Sequence, residues 1–169
     1  MKRFLLIAAA CFTFSSAFAE SRPLQLSLTP EIATQARFML IEGICLNIWG
    51  ENEQRAVALG LVNGSIGDSV GLSLGVLNYT ENYKGIHLGL INYAGGQFSG
   101  AQAGWLFGFS AINYAGSLTG LQLGLVNFAE AAENGFQIGI INIINQNELW
   151  FDYLPSELAP GMILLNWSL

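Results

Sequence analysis

A nine-residue phrase recurs six times along the chain and constrains its fold more than any other feature. The phrase reads glycine, apolar, small polar, apolar, glycine, two apolar residues, asparagine and an aromatic residue. The copies begin at residues 56, 71, 85, 100, 120 and 135. The first copy is degenerate, and the copy at residue 100 reaches its asparagine late, at Asn113. Self-similarity with a step of 14 to 20 residues predicts a repeat architecture.

The alternation of side chains within each phrase predicts β-strands. In the copy at residues 120–128, Leu121, Leu123 and Leu125 alternate with glycine, glutamine and glycine. Successive side chains of a strand point to opposite faces, so one face is apolar and the other is small or polar. Glycine at fixed places in successive strands indicates that another surface comes close to that face. The chain is therefore expected to be all-β.

Two arrangements of these strands fit the pattern, and we favour a parallel β-solenoid. Stacked coils place equivalent residues about 4.8 Å apart. The recurring asparagines can then form a ladder of side-chain hydrogen bonds. The aromatic residues that follow them can stack on one another and bury aromatic area. The alternative is a small up-and-down transmembrane β-barrel, in which each repeat crosses the membrane once. In the solenoid Asn78 and Asn92 are neighbours, and in the barrel they lie a membrane thickness apart. The structural repeat positions are Asn63, Asn78, Asn92, Asn113, Asn127, Asn142, Gly75, Gly89, Gly124 and Gly139.

The ends of the chain divide it into four segments. Residues 1–19 have a basic start, an apolar run and an Ala17-Phe18-Ala19 exit, which predict a cleaved signal peptide, and lipidation of Cys11 is the less favoured alternative. Residues 20–55 are expected to form β segments that cap the array, residues 56–144 are the array, and residues 145–169 are an irregular tail with a closing strand. We therefore expect an exported protein of the periplasm, outer membrane or bacterial surface.

Composition excludes several classes of partner. Four basic and twelve acidic residues follow the signal, which gives a net charge of −8. Nucleic-acid binders carry a basic surface, so no nucleic-acid partner is expected. Association with the outer membrane or envelope and self-association remain open. The lone Cys45 of the processed chain is expected to be buried, because it lies in an apolar run.

Chemically active constellations are scarce in this sequence. The single histidine, His87, occupies a slot where other copies have serine or glutamine, and we expect it to be an outward polar strand residue. Pairs of carboxylates could serve acid–base catalysis, and the candidates are Glu51/Glu53, Glu130/Glu133 and the carboxylates of the tail. All of them lie in turns or in the irregular tail, where acidic residues are expected for solubility alone. The four tryptophans are expected to fill the core or an interfacial belt. We expect no catalytic site, no cofactor and no metal.

The phrases GLQLGLVNF and GFQIGIINI resemble the repeats of bacterial exported surface-repeat proteins, which carry GLQIGLVN-type units. The resemblance covers residues 56–143 and implies a location at the cell envelope, without an established activity. The expected function is therefore a non-enzymatic envelope or surface protein with a structural or adhesive role. The alternative function is that of a small outer-membrane barrel acting as a pore or anchor.

Overall fold

The computed structural model describes residues 21–104 and 108–169, and these form one seven-stranded sheet. The strands are β1 (Ser21–Ser27), β2 (Leu40–Glu51), β3 (Arg55–Leu74), β4 (Leu77–Leu88), β5 (Ile91–Ala103), β6 (Ser110–Ile144) and β7 (Gly161–Ser168). They follow one another in the sheet in chain order. No helix occurs among the described residues, so the all-β prediction is confirmed. The predicted signal peptide and Cys11 lie outside these residues.

Neighbouring strands from β1 to β6 pair in parallel, which is the arrangement of a β-solenoid. Equivalent positions of successive phrases stand opposite one another: Asn78 pairs with Asn92, and Gly85 pairs with Gly100. The longest strand, β6, carries Asn113, Asn127 and Asn142 and therefore winds through successive coils without a break in its pairing. The favoured solenoid is confirmed. The up-and-down alternative is wrong, because consecutive strands in it would run antiparallel.

Each coil has three sides, which the burial pattern of residues 85–99 makes clear. His87, Gly89, Asn92, Ala94 and Phe98 are buried and point inward. The inside–outside alternation is interrupted at residues 90–91, where two consecutive residues are exposed. The strand pairing shifts register at residues 95–97, where three residues separate the buried Ala94 and Phe98. These two places are corners, because a straight strand keeps its alternation and its register. We call residues 85–89 and the residues stacked on them side 1, residues 91–94 and their equivalents side 2, and residues 97–99 and their equivalents side 3.

The interior of the coils is narrow and mostly polar, with two small apolar clusters. One cluster contains Ile41, Cys45, Ala56 and Ala58. The other is built around Tyr83, Phe98 and Leu118, with Ile144 and four alanines. Cys45 is buried, as predicted, and its burial raises the pKa of the thiol to about 12. The thiolate form of Cys45 is therefore suppressed.

Both ends of the stack are covered. At the carboxyl end, β7 pairs antiparallel with the last coil, with Ile138 opposite Leu165. At the amino end, the chain after β1 turns back, and the backbone amide of Thr34 donates to the carbonyl of Leu26. Unpaired strand edges invite association with other chains, so these two segments protect the edges of the sheet.

Candidate functional surface

An unbroken ladder of asparagine amides runs along the inside of the solenoid. Each Nδ2 donates to the Oδ1 of the asparagine in the next coil at 2.8 to 3.1 Å. The ladder contains Asn47, Asn63, Asn78, Asn92, Asn113, Asn127 and Asn142. The six asparagines predicted from the sequence are thus brought together, and each is completely buried. Residues 78 and 92 are joined directly, at 2.9 Å.

The ladder has a direction and two defined ends. It begins where the Ser27 hydroxyl donates to Asn47 Oδ1 at 2.7 Å, and it ends where Asn142 Nδ2 donates to the Gly139 carbonyl at 3.0 Å. Inner members donate a second time to backbone carbonyls, as Asn92 does to Ala103 at 3.0 Å. Buried polar groups are costly unless they are paired, and this ladder pairs them in series.

Asn47 is the member of the ladder that sequence reasoning missed. It stands opposite Gly60 in the parallel register, three residues before Gly50, which occupies the usual asparagine position opposite Asn63. Its amide nevertheless reaches Asn63 Oδ1 at 3.0 Å. The sequence signal was present in the degenerate phrase at residues 43–50, where an asparagine occupies a glycine slot.

The glycines of the phrase make room for the ladder. At Gly75, Gly89 and Gly124, a Cβ atom would lie 2.6 to 2.7 Å from the Nδ2 of an asparagine of the preceding coil. At Gly139 it would lie 1.8 Å from the Gly124 carbonyl oxygen. Real Cβ contacts are not this short, so glycine and asparagine recur together because the amide occupies the space of the missing side chain.

A second polar row on side 1 includes His87 and corrects one prediction. Gln137 Nε2 donates to Gln122 Oε1 at 2.8 Å, and Gln122 Nε2 donates to Gln102 Oε1 at 2.7 Å. His87 is opposite Gln102 in the next coil and is completely buried. The prediction that His87 points outward is therefore wrong. The polar face of each phrase turns inward, because glycine, serine, glutamine and asparagine fit the interior of sides 1 and 2, while larger buried side chains such as Phe98 and Leu118 belong to side 3.

His87 breaks the glutamine row, since neither ring nitrogen has a hydrogen-bond partner among the described residues. Its ring lies against Tyr83, with centroids 4.2 Å apart, and against Phe98, with centroids 5.0 Å apart. Burial lowers the pKa of His87 to about 3, because the cation loses its hydration there. The imidazole is therefore neutral at neutral pH.

The exterior of sides 1 and 2 is apolar, and its charged exception is Glu51, which stands opposite Gly64 at the amino end of side 2 and pairs with Arg37. The outward residues of side 1 are Leu24, Leu26, Ile44, Leu46, Val57, Leu59, Leu72, Leu74, Ile86, Leu88, Ala101, Leu121, Leu123, Phe136 and Ile138. No Asp, Glu, Lys or Arg occurs in residues 24–28, 44–50, 57–63, 72–78, 86–92, 121–127 or 136–142. A contiguous exposed apolar surface of this kind indicates an interaction site.

The edge between sides 1 and 2 is the most exposed part of this surface. We call its row of outward side chains the apolar edge: Ile48, Leu61, Val76, Leu90, Leu125 and Ile140. Their side chains are between 42% and 60% exposed. The backbone amide of Val76 donates to the carbonyl of Leu61, and that of Leu90 donates to the carbonyl of Val76, so these three residues stack coil on coil. The edge is therefore a convex apolar ridge, in which Leu90 and Leu125 are separated by the coil that holds the undescribed residues 105–107.

Aromatic side chains stack along side 2, as predicted, but on its exterior. The Tyr93 and Tyr114 ring centroids are 4.8 Å apart, and those of Tyr114 and Phe128 are 5.5 Å apart, with nearly parallel planes. Tyr93 is 45% exposed, so the rings cover one another in the stack while their outer faces remain open. The Tyr114 hydroxyl donates to the Glu130 carboxylate, which raises the pKa of Tyr114 to about 12.

On the exterior of the array, charged residues and polar residues without a ring are confined to side 3 and its corners. Asn82 Nδ2 donates to Asp68 Oδ1 at 2.9 Å, and Asn82 Oδ1 accepts from the Gln97 backbone amide at 2.9 Å. These residues line a groove of about 340 Å³ together with Lys84 and Ser99. The coil therefore has two apolar sides and one polar side.

The carboxylates considered from the sequence remain dispersed. Glu51 forms an ion pair with Arg37, while Glu130 binds the Tyr114 hydroxyl. The tail residues Glu148 and Asp152 are exposed. Within residues 21–104 and 108–169, no group of three or more histidine, cysteine, aspartate or glutamate side chains is placed to hold a metal ion.

The three tryptophans among the described residues lie at the exterior rather than in the core. Trp49 Nε1 donates to the Tyr79 hydroxyl at 2.9 Å, and Trp167 Nε1 donates to the Pro155 carbonyl at 2.9 Å. Trp150 is exposed beside Ile141 and Ile143 of side 2, where they line an apolar cavity of about 390 Å³. Trp105 lies outside the described residues. Of the two interpretations considered, core filling is wrong for Trp49 and Trp150, which are exposed.

Comparison with protein-family models, with curated proteins and with solved structures finds no match for this chain. None of the described residues belongs to a helix that is long and apolar enough to cross a membrane.

Proposed function

We propose that this chain is a non-enzymatic structural protein of the bacterial cell envelope whose solenoid presents an apolar interaction surface. The observation that carries the proposal is the apolar exterior of sides 1 and 2, which extends over the described coils from Leu24 to Ile140 with Glu51 and its partner Arg37 as its charged exception. Monomeric soluble domains rarely leave such a surface uncovered. The signal-like residues 1–19 and the resemblance to exported surface-repeat proteins supply the location.

The use of polar side chains supports a structural rather than a chemical role. Asparagine and glutamine amides are committed to ladders inside the coil, as in the bonds from Asn78 to Asn92 and from Gln137 to Gln122. Enzymes instead aim polar groups into a cleft that admits a substrate. Here the repeated residues build a rod and leave apolar side chains on the outside of two of its three sides.

The proposal is tested by locating the protein in cells. The full chain with a carboxyl-terminal tag is expressed in a Gram-negative host, and the cytosolic, periplasmic and envelope fractions are analysed by immunoblot and mass spectrometry. We expect a processed chain that begins at Glu20 and sediments with the envelope. A matched variant, Ala19→Asp, should accumulate unprocessed because it spoils the cleavage site.

An unprocessed wild-type chain in the cytosol would overturn the location and with it the proposed function. A processed chain that is fully soluble in the periplasm would keep the export and remove the envelope association.

A further inference from the structure

The apolar exterior is large enough to need a partner. Side 1 extends over eight layers from Leu24 to Phe136, which corresponds to a height of about 34 Å at the ~4.8 Å spacing of strands. Five residues across give a width of about 16 Å and a flat area of about 500 Å². Side 2 is a second apolar face, which meets side 1 at the apolar edge.

The shape of this surface favours a partner that can cover two faces at once. Sides 1 and 2 meet at the convex apolar edge, whose residues Leu61, Leu90 and Ile140 are 58%, 52% and 60% exposed. A second copy that packs flat on side 1 leaves the edge and side 2 in water. A fluid apolar phase covers both faces and the edge together.

The border of the apolar surface has the composition of a membrane interface. The stacked Tyr93 and Tyr114 rings lie between the apolar edge and the polar corner, where the Tyr114 hydroxyl meets Glu130. Trp150 adds an exposed indole beside side 2. Tyrosine and tryptophan are enriched where one end of a side chain is in lipid and the other in water.

The positions of the acidic side chains indicate which lipid headgroups the protein can bind. The acidic residues Asp68, Glu81 and Glu130 lie on side 3 or its corners, away from the apolar edge, and the residues after the predicted signal carry a net charge of −8. An acidic protein gains nothing from an anionic headgroup layer, so binding must come from apolar burial. Zwitterionic lipid is therefore the matching partner.

We propose that sides 1 and 2 with the apolar edge form a lipid-binding surface, which inserts into one leaflet of a zwitterionic bilayer while side 3 faces water. The backbone at the inserted surface is satisfied, because strand pairing and the asparagine ladder use its polar groups internally. This inference deepens the proposed function, since it names the partner of the same surface.

The test is flotation of the purified chain with phosphatidylcholine vesicles in a density gradient, with the amino terminus determined by mass spectrometry. We expect the protein to float with vesicles, and to do so equally in 0.1 M and about 0.5 M salt, because apolar insertion is not screened. Vesicles containing brominated phosphatidylcholine should quench the fluorescence of the exposed tryptophans.

A pair of matched variants tests which surface is inserted. Leu90→Glu with Leu125→Glu places two charges on the apolar edge, and we expect a loss of vesicle binding of at least ten-fold. The control, Gln97→Glu with Thr119→Glu, adds the same two charges on side 3 and should float as the wild type does. All four side chains point outward in the fold, so circular dichroism should be unchanged in both variants.

Three results would overturn the proposal. One is a chain that does not float. Another is an edge variant that floats as well as its control. The third is a stable dimer in light scattering that the edge variant dissociates, without vesicle binding, because that result assigns the surface to a second copy. Failure here leaves the cellular location untouched, since processing and fractionation are measured independently of vesicle binding.

Discussion

Asn92 shows what a single repeated residue does in this fold. Its Oδ1 accepts from Asn78, and its Nδ2 donates both to Asn113 and to the Ala103 carbonyl, all within 3.0 Å. Asparagine is suited to this place because it is a short neutral side chain with both a donor and an acceptor. Aspartate would place like charges in adjacent coils, and leucine would leave the neighbouring amides unpaired.

Replacing Asn92 with alanine should destabilise the fold by about 3 kcal/mol, because it leaves the Asn78 amide and the Asn113 carbonyl without their partners. The free energy of unfolding from urea denaturation is the measurement. Gln97→Ala is the control, since Gln97 is exposed on side 3, and it should change stability by less than about 0.5 kcal/mol. Equal effects of the two substitutions would mean that the ladder contributes nothing.

His87 should make the fold sensitive to acid. The pKa of His87 is 6.5 when the side chain is exposed, as in the unfolded chain, and burial lowers it to about 3 in the folded protein. The unfolded chain therefore binds the proton more readily. The stability due to neutral His87 is complete above pH 6.5 and is lost as the pH falls from 6.5 towards 3, at up to ~1.4 kcal/mol per pH unit.

His87→Gln should remove this acid sensitivity, because glutamine occupies the same row in three other coils and does not titrate. Between pH 7.5 and pH 4.5, wild type should lose about 2 to 3 kcal/mol more than the variant in urea denaturation. The carboxylates titrate in both proteins and cancel in the difference. Parallel stability curves for the two proteins would contradict the burial of His87.

At the scale of the coil, the first glycine of each phrase determines how closely coils stack. Gly85, Gly100 and Gly120 have φ between 126° and 141°, and a Cβ atom there would lie 1.9 to 2.1 Å from the carbonyl oxygen of the glycine in the preceding coil. Only glycine fits a position that combines a positive φ with so close a backbone approach.

Gly100→Ala should therefore prevent stacking of its coil and lower stability by several kcal/mol, or abolish folding. Gly95→Ala is the matched control, because a Cβ atom there meets nothing closer than 3.4 Å. That control should differ from wild type by less than about 1 kcal/mol. Thermal unfolding followed by circular dichroism distinguishes the two, and an unaffected Gly100→Ala protein would be incompatible with the observed register.

The period of the coils was predictable from the sequence. Which face of each strand points into the coil was not. The recurrence of Asn78, Asn92 and Asn127 in one slot was sufficient to predict parallel stacking. The pattern of Leu121 and Gln122 shows that two faces exist, but alternation alone does not tell which face is inside. Apolar burial is the usual driving force, whereas here the small cross-section admits only glycine, amides and a few larger side chains. His87 was placed wrongly for this reason.

For the whole molecule, the outcome is a rod with a polar interior and an apolar exterior on two of its three sides. Hydrogen bonding in series replaces the usual hydrophobic core over much of its length, and the apolar area that leucine and isoleucine leave outside is available for a partner. The candidate surface was only partly visible in the sequence. The uncharged stretches could be read directly, but the apolar edge depends on the corner at residues 90–91, which only the folded coil reveals.

The most direct test of the account is cross-linking between stacked coils. Ser99 and Thr119 are register partners on side 3, so their Cα atoms lie about 4.8 Å apart, within the range that a disulfide spans. In a Cys45→Ala background, Ser99→Cys with Thr119→Cys should form an intramolecular disulfide in nearly all of the folded protein, measured by peptide mass spectrometry. Ser99→Cys with Leu125→Cys, on side 3 and the apolar edge, should form none. Absence of the first link, or equal formation of both, would contradict the parallel stack on which the account rests.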